Sequence, residues 1–112
     1  TPIHQLQLAG VTVAVGGDNV QDPWFPAGNF DPLALMAFSL PLAHLAPWQR
    51  LGLAPFTTAA AKVMNLSWDG TLQPGSPASL LLLEAGSWAE ALAAPPHRQV
   101  IVDGNWLQDL DQ

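Results

Sequence analysis

The run Val11-Thr12-Val13-Ala14-Val15 limits the architecture more than any other stretch of the chain. It is short, rich in β-branched residues and almost wholly apolar, the pattern of a strand buried on both faces of a parallel sheet. Gly16-Gly17-Asp18-Asn19 follows at once. Two glycines there predict a tight loop whose backbone comes close to something, with Asp18 at the carboxyl end of the strand. That end of a parallel strand is where α/β enzymes place catalytic groups. The plainer alternative is that Asp18 caps the loop or a helix start. A parallel strand needs neighbours, and the sequence offers no second run of this type. Its backbone groups therefore want partners from other chain segments.

The flanking pattern is helical. Residues 3–9 read as the last turns of a helix, with Gly10 placed to end it. After the loop 19–30, Asp31 reads as an N-cap with Pro32 in the first helical position. Leu33, Leu35, Met36, Phe38, Leu40, Leu42 and Leu45 then make a helix that is apolar around most of its circumference, with a kink expected at Pro41. A second helix is expected from Phe56 or Thr57 to Met64, capped by Thr57 or Thr58. From about residue 67 the character changes. Gln73-Pro74-Gly75 reads as a turn, Ser79–Leu83 as a core strand, Ser87–Leu92 as a short helix, and Val100-Ile101-Val102, Asp103-Gly104 and Trp106-Leu107 as a hairpin. An α/β part thus precedes a mainly β part.

Composition narrows the function. Of 112 residues, 49% are hydrophobic and only 11% charged, few groups with which to cover a surface and consistent with a piece that packs against something else. The chain starts at Thr1 rather than Met, which fits the same expectation. Three basic residues (Arg50, Lys62, Arg98) face nine acidic ones, for a net charge of −6. Phosphate recognition needs clustered Lys and Arg, so neither nucleic acid nor an anionic membrane is an expected partner. With no Cys there can be no disulfide, thiolate metal site or Cys nucleophile. No apolar run reaches the roughly 18 residues of a membrane span.

The order of motifs resembles a known family. Ala9 through Asn19, followed by Asp22-Pro23-Trp24-Phe25-Pro26, is similar to the last barrel strand and following loop of bacterial cytosine deaminases. Thr57 through Leu66 resembles the helix that comes later in that family. Gly70 through Leu83 and Val102-Asp103-Gly104-Asn105-Trp106-Leu107 resemble the segments that return to its small β domain. The D-P-W-[FY]-P loop is the most specific part; the C-terminal pattern recurs across the wider amidohydrolase superfamily.

The resemblance implies an α/β fold: the C-terminal portion of an amidohydrolase (β/α)8 barrel (last strand and following helices) over residues 1–67, and part of the small β-sandwich domain over residues 68–112. It implies a cytoplasmic hydrolase acting on a small pyrimidine-like substrate, with a divalent metal, iron or zinc, in the intact enzyme. Asp18 maps onto the metal-binding and catalytic aspartate. The metal would lower the pKa of a bound water, and the aspartate would take up and pass on its proton. Trp24 maps onto an aromatic lining the base pocket, and Asn19 onto a substrate-facing position that is acidic in those deaminases. That departure opens other ring substrates.

The metal-binding histidines of the family have no counterpart here. His4, His44 and His97 form no H-x-H pair. His44 reads as a packing residue and His97 as an exposed loop residue. One carboxylate does not hold a transition metal tightly, so no tightly bound metal and no deaminase activity are expected of this stretch alone. Asp22 reads either as a substrate contact or as the cap of the turn before Pro23. Trp48, Trp68, Trp88 and Trp106 read as packing residues, and Asp109 and Asp111 as a solvated tail. Three functions remain open. One is part of a deaminase that packs on the rest of its parent barrel. Another is an amidohydrolase of another cyclic amide or triazine. The last is a non-catalytic scaffold that folds alone or as a homo-oligomer.

Overall fold

The computed structural model describes residues 2–94 and 96–107; the tail carboxylates Asp109 and Asp111 lie outside them. The chain divides into two compact units, Thr1–Gly70 and Thr71–Gln112.

The first unit begins with helix α1, Ile3–Leu8. Gly10, at φ +83°, ends it. The amides of Gly10 and Val11 donate back to the carbonyls of Gln7 and Leu6 at 3.0 and 2.9 Å, a Schellman motif in the position the sequence marks for it. Val11–Val15 departs from expectation, because no strand forms there among the described residues. A strand exists only where a neighbour completes its ladder. Here the Val15 amide donates to the Pro55 carbonyl at 2.9 Å, and Val13 and Val15 are half-buried while Val11, Thr12 and Ala14 are exposed.

Helix α2 spans Pro32–Ala43. The Asp31 carboxylate accepts from the Leu33 amide at 3.0 Å, as expected of its cap. Leu33, Met36 and Ser39 form the buried face, while Phe38 and Leu42 on the other side are exposed. The helix runs two residues past Pro41 and stops at His44, whose φ of +54° reverses the chain. His44 is therefore an exposed C-cap and not a packing residue. A 3-10 turn, Ala54–Phe56, leads into α3, Thr58–Val63. Thr57 occupies the N-cap position, but its hydroxyl donates backward to the Leu53 carbonyl at 2.9 Å and caps nothing. Asn65, at φ +54°, ends α3 with the same Schellman pattern, Leu66 amide to Ala61 carbonyl at 2.9 Å. The buried apolar side chains of this unit are Ile3, Leu33, Met36, Leu45, Pro47, Pro55 and Ala61, with Ser39 buried beside them.

The second unit is an antiparallel sheet in the order β1 (Leu80–Leu83), β2 (Arg98–Val102), β3 (Asn105–Trp106), with Leu80 opposite Ile101 and Leu83 opposite Arg98. Asp103 and Gly104, at φ +49° and +78°, form the two-residue β2–β3 turn, whose positive φ values match the twist of the strands. The turn is tied to the entry of β1, because the Asp103 amide donates to the Ser79 hydroxyl at 3.1 Å and the Gly104 amide to the Ala78 carbonyl at 2.8 Å. Between β1 and β2 runs α4, Trp88–Ala93, where Ser87 accepts from the Glu90 amide and Glu90 reaches back to the Gly86 amide at 2.7 Å. β1 is less buried than a core strand, with Leu81 and Leu82 exposed; Trp48 and Trp106 are exposed too.

Candidate active site

The loop between Val15 and α2 is organised by one carboxylate. Asp22 Oδ1 accepts from the backbone amides of Trp24 and Phe25 at 3.0 and 2.7 Å, and its Oδ2 accepts from the Asn19 side-chain amide at 2.8 Å. These bonds, the one from Asn19 foremost and then the one from the Phe25 amide, hold the carboxyl below its ordinary pKa of 3.8 because they favour the charged form. Asp22 therefore caps the turn ahead of Pro23, the plainer of its two sequence readings. Farther along, a Cβ at Gly28 would stand 2.9 Å from both the Asn19 carbonyl oxygen and the Phe25 ring, so this position needs glycine for close approach and not for its backbone angles. Asn29 then accepts from the Asp31 amide at 3.0 Å, which sets Asp31 to cap α2. From Asn19 to Leu33 the loop is thus held by local side-chain bonds that suit a chain without regular structure.

This loop and the first turns of α2 enclose an open cleft of about 790 Å³. Asp18, Asn19 and Trp24 all line it. Asp18 is exposed, Asn19 is half-buried and held by Asp22, and Trp24 is 85% exposed. Phe25, Phe30 and Phe38 line the cleft as well. Sequence reasoning left Phe30 unassigned and gave Phe38 to the apolar helix. The only signal for either was an aromatic on or next to a helix whose other side was already apolar enough for a core. Asp18 and Asp31 bring negative charge, and among the described lining residues there is no Lys or Arg. Such a cleft suits a flat neutral or amine-bearing ring and disfavours an anion.

Asp18 offers a metal ion one oxygen donor. Among the described residues no group of three or more His, Cys, Asp or Glu comes together, so this donor set alone does not fit a divalent metal. His4 lies exposed in α1. His97 is an exposed residue ahead of β2, with its Nδ1 3.8 Å from the Glu84 carboxylate, in the second unit.

Comparison with known proteins decides the family. Residues 1–108 match the amidohydrolase family. The chain belongs to that family. It is 31% identical over 102 residues to a pterin deaminase of Rhizobium rhizogenes strain K84, covering 91% of this chain and 23% of that protein. Its fold is similar to 5-methylcytosine deaminase from Klebsiella pneumoniae. The structure liganded with 5-fluorocytosine matches with a TM-score of 0.78 at 29% identity, over 100% of this chain and 28% of that one. The structure liganded with phosphonocytosine gives 0.76 at 29% identity, over 95% and 27%. The amidohydrolase chain described here thus spans about a quarter of the length of these relatives. No helix among its described residues is long and apolar enough to cross a membrane.

Proposed function

We propose that the protein takes part in hydrolytic deamination of a nitrogen-containing ring, cytosine or a related cyclic amidine. Water adds to the ring carbon that bears the amine, the carbon–nitrogen bond breaks, and ammonia leaves behind a carbonyl. The observation that carries this reading is the gathering of Asp18, Asn19 and Trp24 around one cleft in a chain similar to two deaminases. Asp18 is the proton carrier, taking a proton from the attacking water and returning it to the departing amine. Trp24 presents an aromatic face to the flat ring, and Asn19 meets the polar edge of the substrate. The want of basic residues among the described lining residues supports a neutral heterocycle over a phosphorylated one.

In this reading Val11–Val15 completes its ladder as the last strand of a barrel, residues 1–67 close that barrel, and residues 68–112 join a β-sandwich. Asp18 contributes one donor to a divalent metal, iron or zinc, whose other ligands come from elsewhere in the enzyme. The 112 residues by themselves are expected to release no ammonia.

A second ring class has its own support. The Rhizobium relative is a pterin deaminase, and Asn19 departs from the acidic residue of cytosine deaminases. The test is a substrate panel for the full-length protein: ammonia release from cytosine, 5-methylcytosine, pterin and an aminotriazine, and ring opening of a hydantoin. Ammonia from a pyrimidine supports the first reading, and ammonia from pterin alone supports the second. Ring opening without ammonia moves the protein to the cyclic amides. No turnover at all contradicts an enzymatic role and leaves the scaffold.

A further inference from the structure

Asp22 is absent from the cleft wall, yet it bonds to three residues that line it. One carboxylate oxygen serves the backbone amides of Trp24 and Phe25, and the other the side chain of Asn19. These partners sit three residues before Asp22 and two and three after it, so a single group spans both sides of the turn. Among the described residues Trp24 has no other polar anchor, and it is 85% exposed, so packing does not fix it. Gly28 closes the opposite side of the same knot against the Asn19 carbonyl and the Phe25 ring.

We propose that Asp22 is the positioning residue of the cleft. Its carboxylate fixes the Asn19 side chain and the Trp24 backbone, and so sets where the ring-facing groups stand. This rests on the deaminase reading. Asp22 touches no reacting atom; it acts through its neighbours. A hydrogen bond to a charged group carries enough energy that its loss changes affinity about tenfold. Removing the hub is therefore expected in KM before kcat.

The experiment compares wild type, Asp22→Ala and Asp22→Asn in the full-length protein. It measures kcat and KM on the best substrate of the panel, and the Trp24 amide resonance by NMR after selective ¹⁵N-Trp labelling. Asp22→Ala is expected to raise KM about tenfold, to leave kcat within about threefold, and to move the Trp24 resonance upfield as its carboxylate partner is lost. Asp22→Asn keeps an acceptor for the two backbone amides, and the Asn19 amide can turn over to meet it. It is expected to bring KM back to within about threefold of wild type. An unmoved Trp24 resonance in Asp22→Ala overturns the proposal, as does a loss confined to kcat or an Asp22→Asn variant as impaired as Asp22→Ala. A wild type inert on the whole panel sinks the deaminase reading instead. The Trp24 resonance then still decides whether Asp22 holds the loop.

Discussion

Asp18 and Asp22 stand four residues apart with different duties, set by what surrounds each. Asp18 is exposed on the cleft wall, as the proposed role of proton carrier requires. Asp22 accepts three hydrogen bonds that favour its charged form. A carboxyl whose pKa is depressed on folding stabilises the fold above its unfolded pKa. That contribution fades as pH falls through 3.8 toward the lower folded value. Acid unfolding of wild type against Asp22→Asn is thus expected to show a stability gap at neutral pH that closes below about pH 3.8. A gap that persists or widens in acid would mean the bonds do not depend on the charge. The cap role of Asp22 was one of the two readings that Asp-Pro left open, and an Asx turn is local chemistry. Its bond to Asn19 was not legible, since nothing in the spacing distinguishes an Asn that faces substrate from one held by a neighbour.

The elements that formed as expected are those whose signals are local. Gly10 and Asn65 end helices through positive φ, Asp31 caps α2, and Asp103-Gly104 turns the hairpin. Each is decided within five or six residues, so the sequence suffices. Gly10→Ala places a Cβ in open space at φ +83°, so its cost is conformational and near 1 kcal/mol, readable as a lower urea midpoint at unchanged slope. Ser87→Ala removes the α4 cap and is expected to cost about 1 kcal/mol by the same measurement. Either change without effect would mean that the element melts independently of the transition observed. Val11–Val15 and Leu80–Leu83 failed as expected buried strands for the opposite reason. Their apolar pattern was read correctly, but burial and pairing depend on what lies beside them. Val11–Val15 forms no ladder here, and β1 pairs with β2 while Leu81 and Leu82 stay exposed.

Taken whole, the molecule has more apolar surface than core. Phe30 is 91% exposed, and Trp24, Phe38, Leu42 and Trp48 are exposed too, against seven buried apolar side chains among the described residues of the first unit. Each large buried side chain contributes roughly 2 kcal/mol, which leaves a small core to offset the entropy of ordering the chain. Large apolar side chains left in water in such number favour association. The 112-residue chain alone is therefore expected to sediment as species heavier than 11.9 kDa at micromolar concentration; a clean 11.9 kDa monomer would show that the surface tolerates water. The central claim, that the cleft beside Asp18 does the chemistry, is tested most directly by steady-state ammonia release from the full-length protein with Asp18 intact and as Asp18→Asn. A proton carrier lost from the site should lower kcat by about 10²–10⁴-fold. A variant that keeps kcat within a few-fold of wild type would contradict the claim and return Asp18 to the role of a loop residue.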